Sequence, residues 1–210
     1  MSGESLRGDS KLFIERALRA FETAYGLKWV ALRYFNAAGA DPANENGERH
    51  DPETHLIPLT IETALGHRTV LDVYGGDYAT KDGTPVRDFI HVSDLAVAHV
   101  RALEYLIDGG RSVALNLGTG RGYTVREIVA TVEQVGGRPV PVRMMARRPG
   151  DPSALVADAT LAATTLRWTP VHSTLEEIVG TAWAWHNRNE DPAPPDTYLD
   201  VASCALTPHV

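Results

Sequence analysis

Lys28-Trp29-Val30-Ala31-Leu32-Arg33-Tyr34-Phe35 is the stretch on which the reading of the fold turns. It is mostly apolar and rich in strand formers, and a helical pattern precedes it, so it reads as a buried strand of a parallel sheet. The preceding helix carries Phe13, Ala17, Phe21 and Ala24 at helical spacing, with Ile14, Leu18 and Tyr25 beside them. Lys11, Glu15, Arg19 and Glu22 take the opposite side, and Gly26 ends the helix. Outward from this pair the alternation continues. Residues 36–53 read as loop, 57–65 as helix, 70–74 as strand, 75–85 as a turn-rich loop and 89–92 as strand. Ser93 or Asp94 caps a helix whose stripe is Ala96, Val100, Leu103 and Ile107, stopped by Gly109-Gly110. A strand at 113–117 follows. Thr124 with Glu127 forms a capping box for a helix to Val135. Residues 139–145 read as extended and 157–165 as helical. Ser173 or Thr174 caps a last helix to about Trp185.

Strands alternating with helices make this an α/β chain, or an α+β one with a mixed sheet. A parallel sheet needs more strands than the first 40 residues supply. The expected organisation is therefore the end of one domain at 1–40, most of another at 41–190, and a Pro-rich, aperiodic tail at 191–210. Residues 89–120 are candidates to pack back on the first sheet.

The chain has 210 residues, which at about 150 per domain fits one domain and part of another. Its net charge is −7 with histidine neutral. That argues against a general nucleic-acid binder, which needs a basic face, and leaves room for a small basic pocket. One cysteine, Cys204, makes no internal disulfide and fits a reducing compartment. No stretch reaches 18 apolar residues, so no membrane helix is implied. The opening MSGESLRGDSK lacks the apolar run of a signal peptide, and the expected location is cytoplasmic.

Gly118-Thr119-Gly120-Arg121-Gly122 lies between a strand and a helix, the setting of a dinucleotide loop. Its spacing does not fit. Tyr123 stands where the third glycine belongs, and no acidic residue follows at the ribose-binding distance. A structural turn is the better reading. His50 with His55, and His91 with His99, have the spacing of no helical metal pair and read as structural or surface residues, so no metal is expected.

Four segments point to a family in register: Ser10-Lys-Leu-Phe-Ile-Glu15, Leu32-Arg-Tyr-Phe-Asn-Ala-Ala-Gly39, Thr84-Pro-Val-Arg-Asp-Phe-Ile-His-Val-Ser-Asp-Leu95 and Arg147-Arg-Pro-Gly-Asp151. Together they resemble the UDP-glucose 4-epimerase family of the extended short-chain dehydrogenase/reductase superfamily. Asn116-Leu-Gly-Thr-Gly120 and the Trp183-x-Trp185 ending agree. The resemblance implies that residues 1–40 end a Rossmann-like NAD-binding domain and that 41–190 form a smaller mixed α/β substrate domain. It implies inversion at C4 of a UDP-hexose through a 4-keto sugar on bound NAD.

The same resemblance assigns residues. Lys11 matches the lysine of the Tyr-x-x-x-Lys pair and would hold the nicotinamide ribose, while Arg7 stands where the catalytic tyrosine belongs. A guanidinium stays protonated and cannot replace a phenol as base. Phe35 would line the nicotinamide pocket, and Asn36 would hydrogen-bond the UDP-sugar. His55 and Leu56 match the substrate loop, the latter through its backbone. Asp72, Val73 and Tyr74 match the segment that meets uracil. Arg87 and Arg148 would grip the pyrophosphate in bidentate, charged hydrogen bonds, and Asp151 would accept from the ribose hydroxyls. Leu155 takes a position filled by a large tyrosine in some members, which implies room for an N-acetylhexosamine. On residue types alone, Arg87 and Arg148 read as surface ion pairs with Asp88 and Asp151, and Lys11 as a solvated helix face.

The family's glycine-rich NAD loop and catalytic tyrosine have no match here, so the chain is expected to be truncated and inactive alone, with an exposed apolar edge at strand 28–35. The family forms homodimers. Two other readings stay open. One is an NAD-dependent nucleotide-sugar dehydratase or decarboxylase; the other is a non-catalytic UDP-sugar-binding fragment.

Overall fold

The computed structural model describes residues 6–188, with side chains from Ser10. The expected tail at 191–210, Cys204 and the side chain of Arg7 lie outside the described residues. Helix α1 (Leu6–Tyr25) leads through Gly26, in the left-handed region, to β1 (Val30–Tyr34). Strand β1 runs parallel to β5 (Val113–Leu117), in register from Val30 against Val113 to Tyr34 against Leu117. Among the described residues β5 is the only strand that pairs with β1.

A second sheet is mixed. Short β2 (Asn36–Ala38) lies parallel to β4 (Val86–His91), which is antiparallel to β6 (Gly122–Thr124) and parallel to β8 (Ala154–Leu155). The third is a parallel pair, β3 (Leu71–Tyr74) with β7 (Val142–Met145). Helices α2 (Leu56–Leu65), α3 (Val92–Ile107), α4 (Val125–Gly136), α5 (Thr160–Leu166) and α6 (Leu175–Arg188) complete the order.

Two apolar clusters form. One joins Ile57 and Ile61 of α2, Ile128 and Val132 of α4, and Ile178 and Val179 of α6 over β3 and β4. The other joins Leu115 and Leu117 of β5 to Leu95, Ala98 and Ala102 of α3 and to Leu166 and Trp168, with Val30 and Leu32 packed against it. Burying such side chains stabilises each by roughly 1.5–3 kcal/mol before chain entropy is charged against it.

Several of the local cap signals hold. Thr124 Oγ1 accepts from the Glu127 N–H, and Glu127 reaches back to the Thr124 N–H at 2.8 Å. Thr174 Oγ1 accepts from the Glu177 N–H as α6 begins. Other readings are corrected. The cap of α3 is His91, whose Nδ1 accepts from the Ser93 N–H, not Ser93 or Asp94. Asp94 is instead buried and accepts from the N–H groups of Val171 and His172 and from Ser173 Oγ. The α3 stripe points outward, with Leu103 61% exposed, because the sheet takes the small-residue face at Ala98 and Ala102. On α1, Phe13 is 71% exposed and Glu15 only 6%, because Arg33 of β1 draws the carboxylate inward through two 2.5 Å hydrogen bonds. Strand β1 is half-exposed at Arg33 and Tyr34 rather than buried throughout. Residues 36–38 form a strand where a loop is expected, and 157–159 precede rather than join α5.

Candidate functional site

Strands β3 and β7 place Asp72 opposite Arg143. The two side chains close a bidentate pair, Nε to Oδ1 at 2.6 Å and Nη2 to Oδ2 at 2.9 Å. The hydrogen bond from Arg143 holds the Asp72 carboxyl below its usual range, and Asp72 raises the guanidinium in turn. After β7 the chain passes Arg147 and Arg148 into a turn, closed by the Asp151 N–H donating to the Arg148 carbonyl at 3.2 Å. Arg147 lies 4.2 Å over the Tyr78 ring and donates to Asp77 Oδ1. Arg148 lies 4.0 Å over the Tyr74 ring.

At the other end of that turn Asp151 accepts from Arg87 Nη2. Arg87 Nη1 donates to the carbonyls of Val86, at 2.7 Å, and Pro152, at 3.0 Å. Three of its five donors are committed, and two remain for a ligand. β8 sets Leu155, exposed, opposite Arg87. Of the four arginines, Arg148 alone meets an aromatic face and no carboxylate within ion-pair distance among the described residues.

The glycine cluster is the counter-example. Asp88 is fully buried, and its carboxylate accepts from the N–H groups of Thr119, Gly120 and Ala157 at 3.0–3.2 Å and from Thr119 Oγ1 at 2.6 Å. Successive backbone N–H groups of this kind make an anion nest. Here a side chain of the same protein fills it. A Cβ on Gly118 would sit 2.7 Å from Asp88 Oδ2 and 2.4 Å from the Ala157 Cβ, so glycine is required there. The turn is structural, as its spacing implies.

The 148–151 turn thus joins the Tyr74–Arg148 stack to Arg87, Asp151 and Leu155 in one patch, while Asp72 pairs with Arg143 and Val73 is buried. The ion pairs read from sequence neighbours, Arg87 with Asp88 and Arg148 with Asp151, do not form. The pair that does form, Arg87 with Asp151, spans 64 positions. Asn36 borders the patch, donating Nδ2 to the Asp88 carbonyl at 2.6 Å. Phe35 is half-buried between β1 and β2, and Lys11 is exposed on α1. His55 and Leu56 open α2, His55 as its N-cap residue without a side-chain cap bond. Arg143 escapes a sequence reading, because only the β3–β7 register shows that it faces Asp72.

Comparison with known proteins adds the following. The NAD dependent epimerase/dehydratase family matches residues 8–118. The UDP-glucose 4-epimerase of Rhizobium leguminosarum bv. trifolii is 53% identical over 182 residues, covering 87% of this chain and 55% of the relative. The crystal structure of the Brucella ovis UDP-glucose 4-epimerase in complex with NAD superposes with a TM-score of 0.82 at 55% identity, over 84% of this chain and 55% of that one. That of the Stenotrophomonas maltophila enzyme, with bound NAD and formylated UDP-arabinopyranose, gives a TM-score of 0.82 at 41% identity, over 86% and 54%. The chain spans about half the length of the relatives it matches.

Proposed function

Because the chain belongs to the NAD dependent epimerase/dehydratase family, we propose that its work is to hold a UDP-hexose for inversion at C4. The observation that carries this is the turn at 148–151, which holds the stacked Arg148 guanidinium at one end and, at the other, the Asp151 carboxylate that takes one donor of the Arg87 fork. A pyrophosphate takes bidentate, charge-assisted hydrogen bonds from such groups. Tyr74 fixes the plane of Arg148 through its ring face. The Asp151 carboxylate gives one oxygen to Arg87 and keeps the other for vicinal ribose hydroxyls. Leu155 offers the sugar an apolar wall and no hydrogen bond, which suits a sugar that must turn between two faces. It leaves space for an N-acetyl group.

For NAD the fit is partial. The 118–120 turn does not fit its pyrophosphate, since Asp88 already occupies the donors. Lys11 and Phe35 are the residues suited to the nicotinamide end, a cation and a half-buried ring. Bound there, the dinucleotide would supply hydride acceptance and return at the sugar carbon. Arg7 stands where the family resemblance places the phenol that takes the hydroxyl proton. A guanidinium stays protonated. The expected behaviour of this chain is therefore UDP-sugar binding with negligible turnover.

Calorimetric titration of the 210-residue chain with UDP tests the reading. Saturable heat at one site, lost in Arg148→Ala, supports it. Absence of heat overturns it, and heat unchanged in Arg148→Ala moves the nucleotide site off this patch.

A further inference from the structure

The loop that leads into α2 gathers two imidazoles and two carboxylates. One ligand atom from each of Glu48, His50, Glu53 and His55 lies within 4.8 Å of the others. His50 Nδ1 is 2.8 Å and His55 Nδ1 2.5 Å from the same oxygen, Glu48 Oε1. His55 Nδ1 is also 3.1 Å from Glu53 Oε1, and His50 Nδ1 3.8 Å from Glu53 Oε2. Donors around a tetrahedral ion at about 2.0–2.1 Å stand about 3.3 Å from one another. The separations here, from 2.5 Å up to 4.8 Å, bracket that spacing.

Charge points the same way. Glu53 has a side chain only 5% exposed, yet it shares this small space with a second carboxylate. Two carboxylates held close together, one of them with a largely buried side chain, are costly unless a positive charge sits between them. A divalent ion balances the two carboxylates and uses the imidazoles as neutral ligands. Mixed imidazole and carboxylate donors suit Zn2+ and its neighbours rather than Mg2+ or Ca2+, which take oxygen.

The framework is already in place. Glu53 Oε1 accepts from the N–H groups of Thr54, at 2.6 Å, and His55, at 2.8 Å, which fixes the carboxylate. The Glu48 carbonyl accepts from Trp185 Nε1 at 2.9 Å. Gly47 lies against that indole so closely that a Cβ would come 2.3 Å from the ring. The loop is thereby tied to α6. Such outer contacts orient ligands before an ion arrives.

We propose that Glu48, His50, Glu53 and His55 bind one divalent ion of the Zn2+ class, which locks the loop to the start of α2. With the ion in place His55 is a metal ligand, and the nucleotide-sugar contact at this point falls to the Leu56 backbone. The proposal does not depend on the UDP reading.

The test is equilibrium dialysis of the chelator-treated 210-residue chain against Zn2+, with Co2+ absorption as a second readout. His50 and His55 are more than half exposed, so His50→Gln and His55→Gln leave the packing intact. The expected result is one saturable Zn2+ per chain, with visible Co2+ bands of a four-coordinate site. Each variant should weaken binding at least about tenfold, since even outer-contact losses cost 10–100-fold. His99→Gln and Cys204→Ser should match the parent. Unsaturable uptake, the same isotherm in His50→Gln and His55→Gln, or loss of the ion in Cys204→Ser would each overturn the proposal.

Discussion

Two turns in this molecule present positive groups to an anion, and they differ in who provides it. At 118–120 the donors are backbone N–H groups, and the anion is the chain's own Asp88, wholly buried. At 148–151 the donors are guanidinium groups, and Arg148 faces a ring instead of a carboxylate. The first turn is closed and holds β4 to the segment before α5. The second leaves Arg148 without a carboxylate among the described residues, the place that the proposed pyrophosphate would take. Arg87 and Asp88 are sequence neighbours on β4, yet one belongs to each turn.

The largest expected effect breaks the closed turn. Asp88→Ala takes the carboxylate from the N–H groups of Thr119, Gly120 and Ala157 and leaves the Thr119 hydroxyl only the Arg121 carbonyl, and each such donor left unsatisfied away from water costs about 1–3 kcal/mol. Urea unfolding should show this as a large drop in midpoint or as failure to fold. A loss below about 1 kcal/mol would mean that water replaces the carboxylate freely and that the turn is not closed.

The next effect sharpens the open turn. Arg148→Ala should lower UDP affinity by about 10- to 100-fold, the worth of a charged hydrogen-bonding group. Its unfolding midpoint should stay within the range of a surface change, about 0.5 kcal/mol. The contrast with Asp88→Ala is the content of the comparison: one variant loses the fold and the other loses the ligand. A variant at 148 that lost both would place Arg148 among the structural ions.

The same contrast explains what could be read before the fold was seen. Caps and stops are local, so Thr124 with Glu127 and Gly26 are legible from neighbours alone. The role of the 118–122 glycines as a turn is legible from spacing. What fills that turn is not, because Asp88 lies 31 positions away and nothing local distinguishes it from a surface partner of Arg87. Helix faces fail for a related reason. Periodicity shows that α3 has an apolar stripe, but the sheet prefers the closer approach allowed by Ala98 and Ala102. β2 has the sequence Asn-Ala-Ala, with no strand former, and exists because β4 supplies a parallel partner. The candidate binding residues on the patch came from motif resemblance. Their partners came only from the fold: the β3–β7 register sets Arg143 against Asp72, and the 148–151 turn brings Asp151 to Arg87.

The smallest effect concerns a third guanidinium, Arg33, which like the closed turn has its anion built in. Glu15 is buried against it, and the hydrogen bonds from Arg33 hold the Glu15 carboxyl below its ordinary value of 4.5, against the opposing effect of burial. A carboxyl depressed in the folded state adds stability that is present above its unfolded value and is lost as pH falls through its folded value. Arg33 is about half exposed. Solvent screening therefore limits the pair to about 1 kcal/mol or less. Urea unfolding of the parent chain and Glu15→Gln, compared from neutral pH down to about 3, should show a gap at neutrality that closes on the acid side. A gap that persists in acid would show that Glu15 holds α1 to β1 by shape and neutral hydrogen bonding. The built-in anion would then be the weaker half of the comparison, and the Asp88 nest its only strong case.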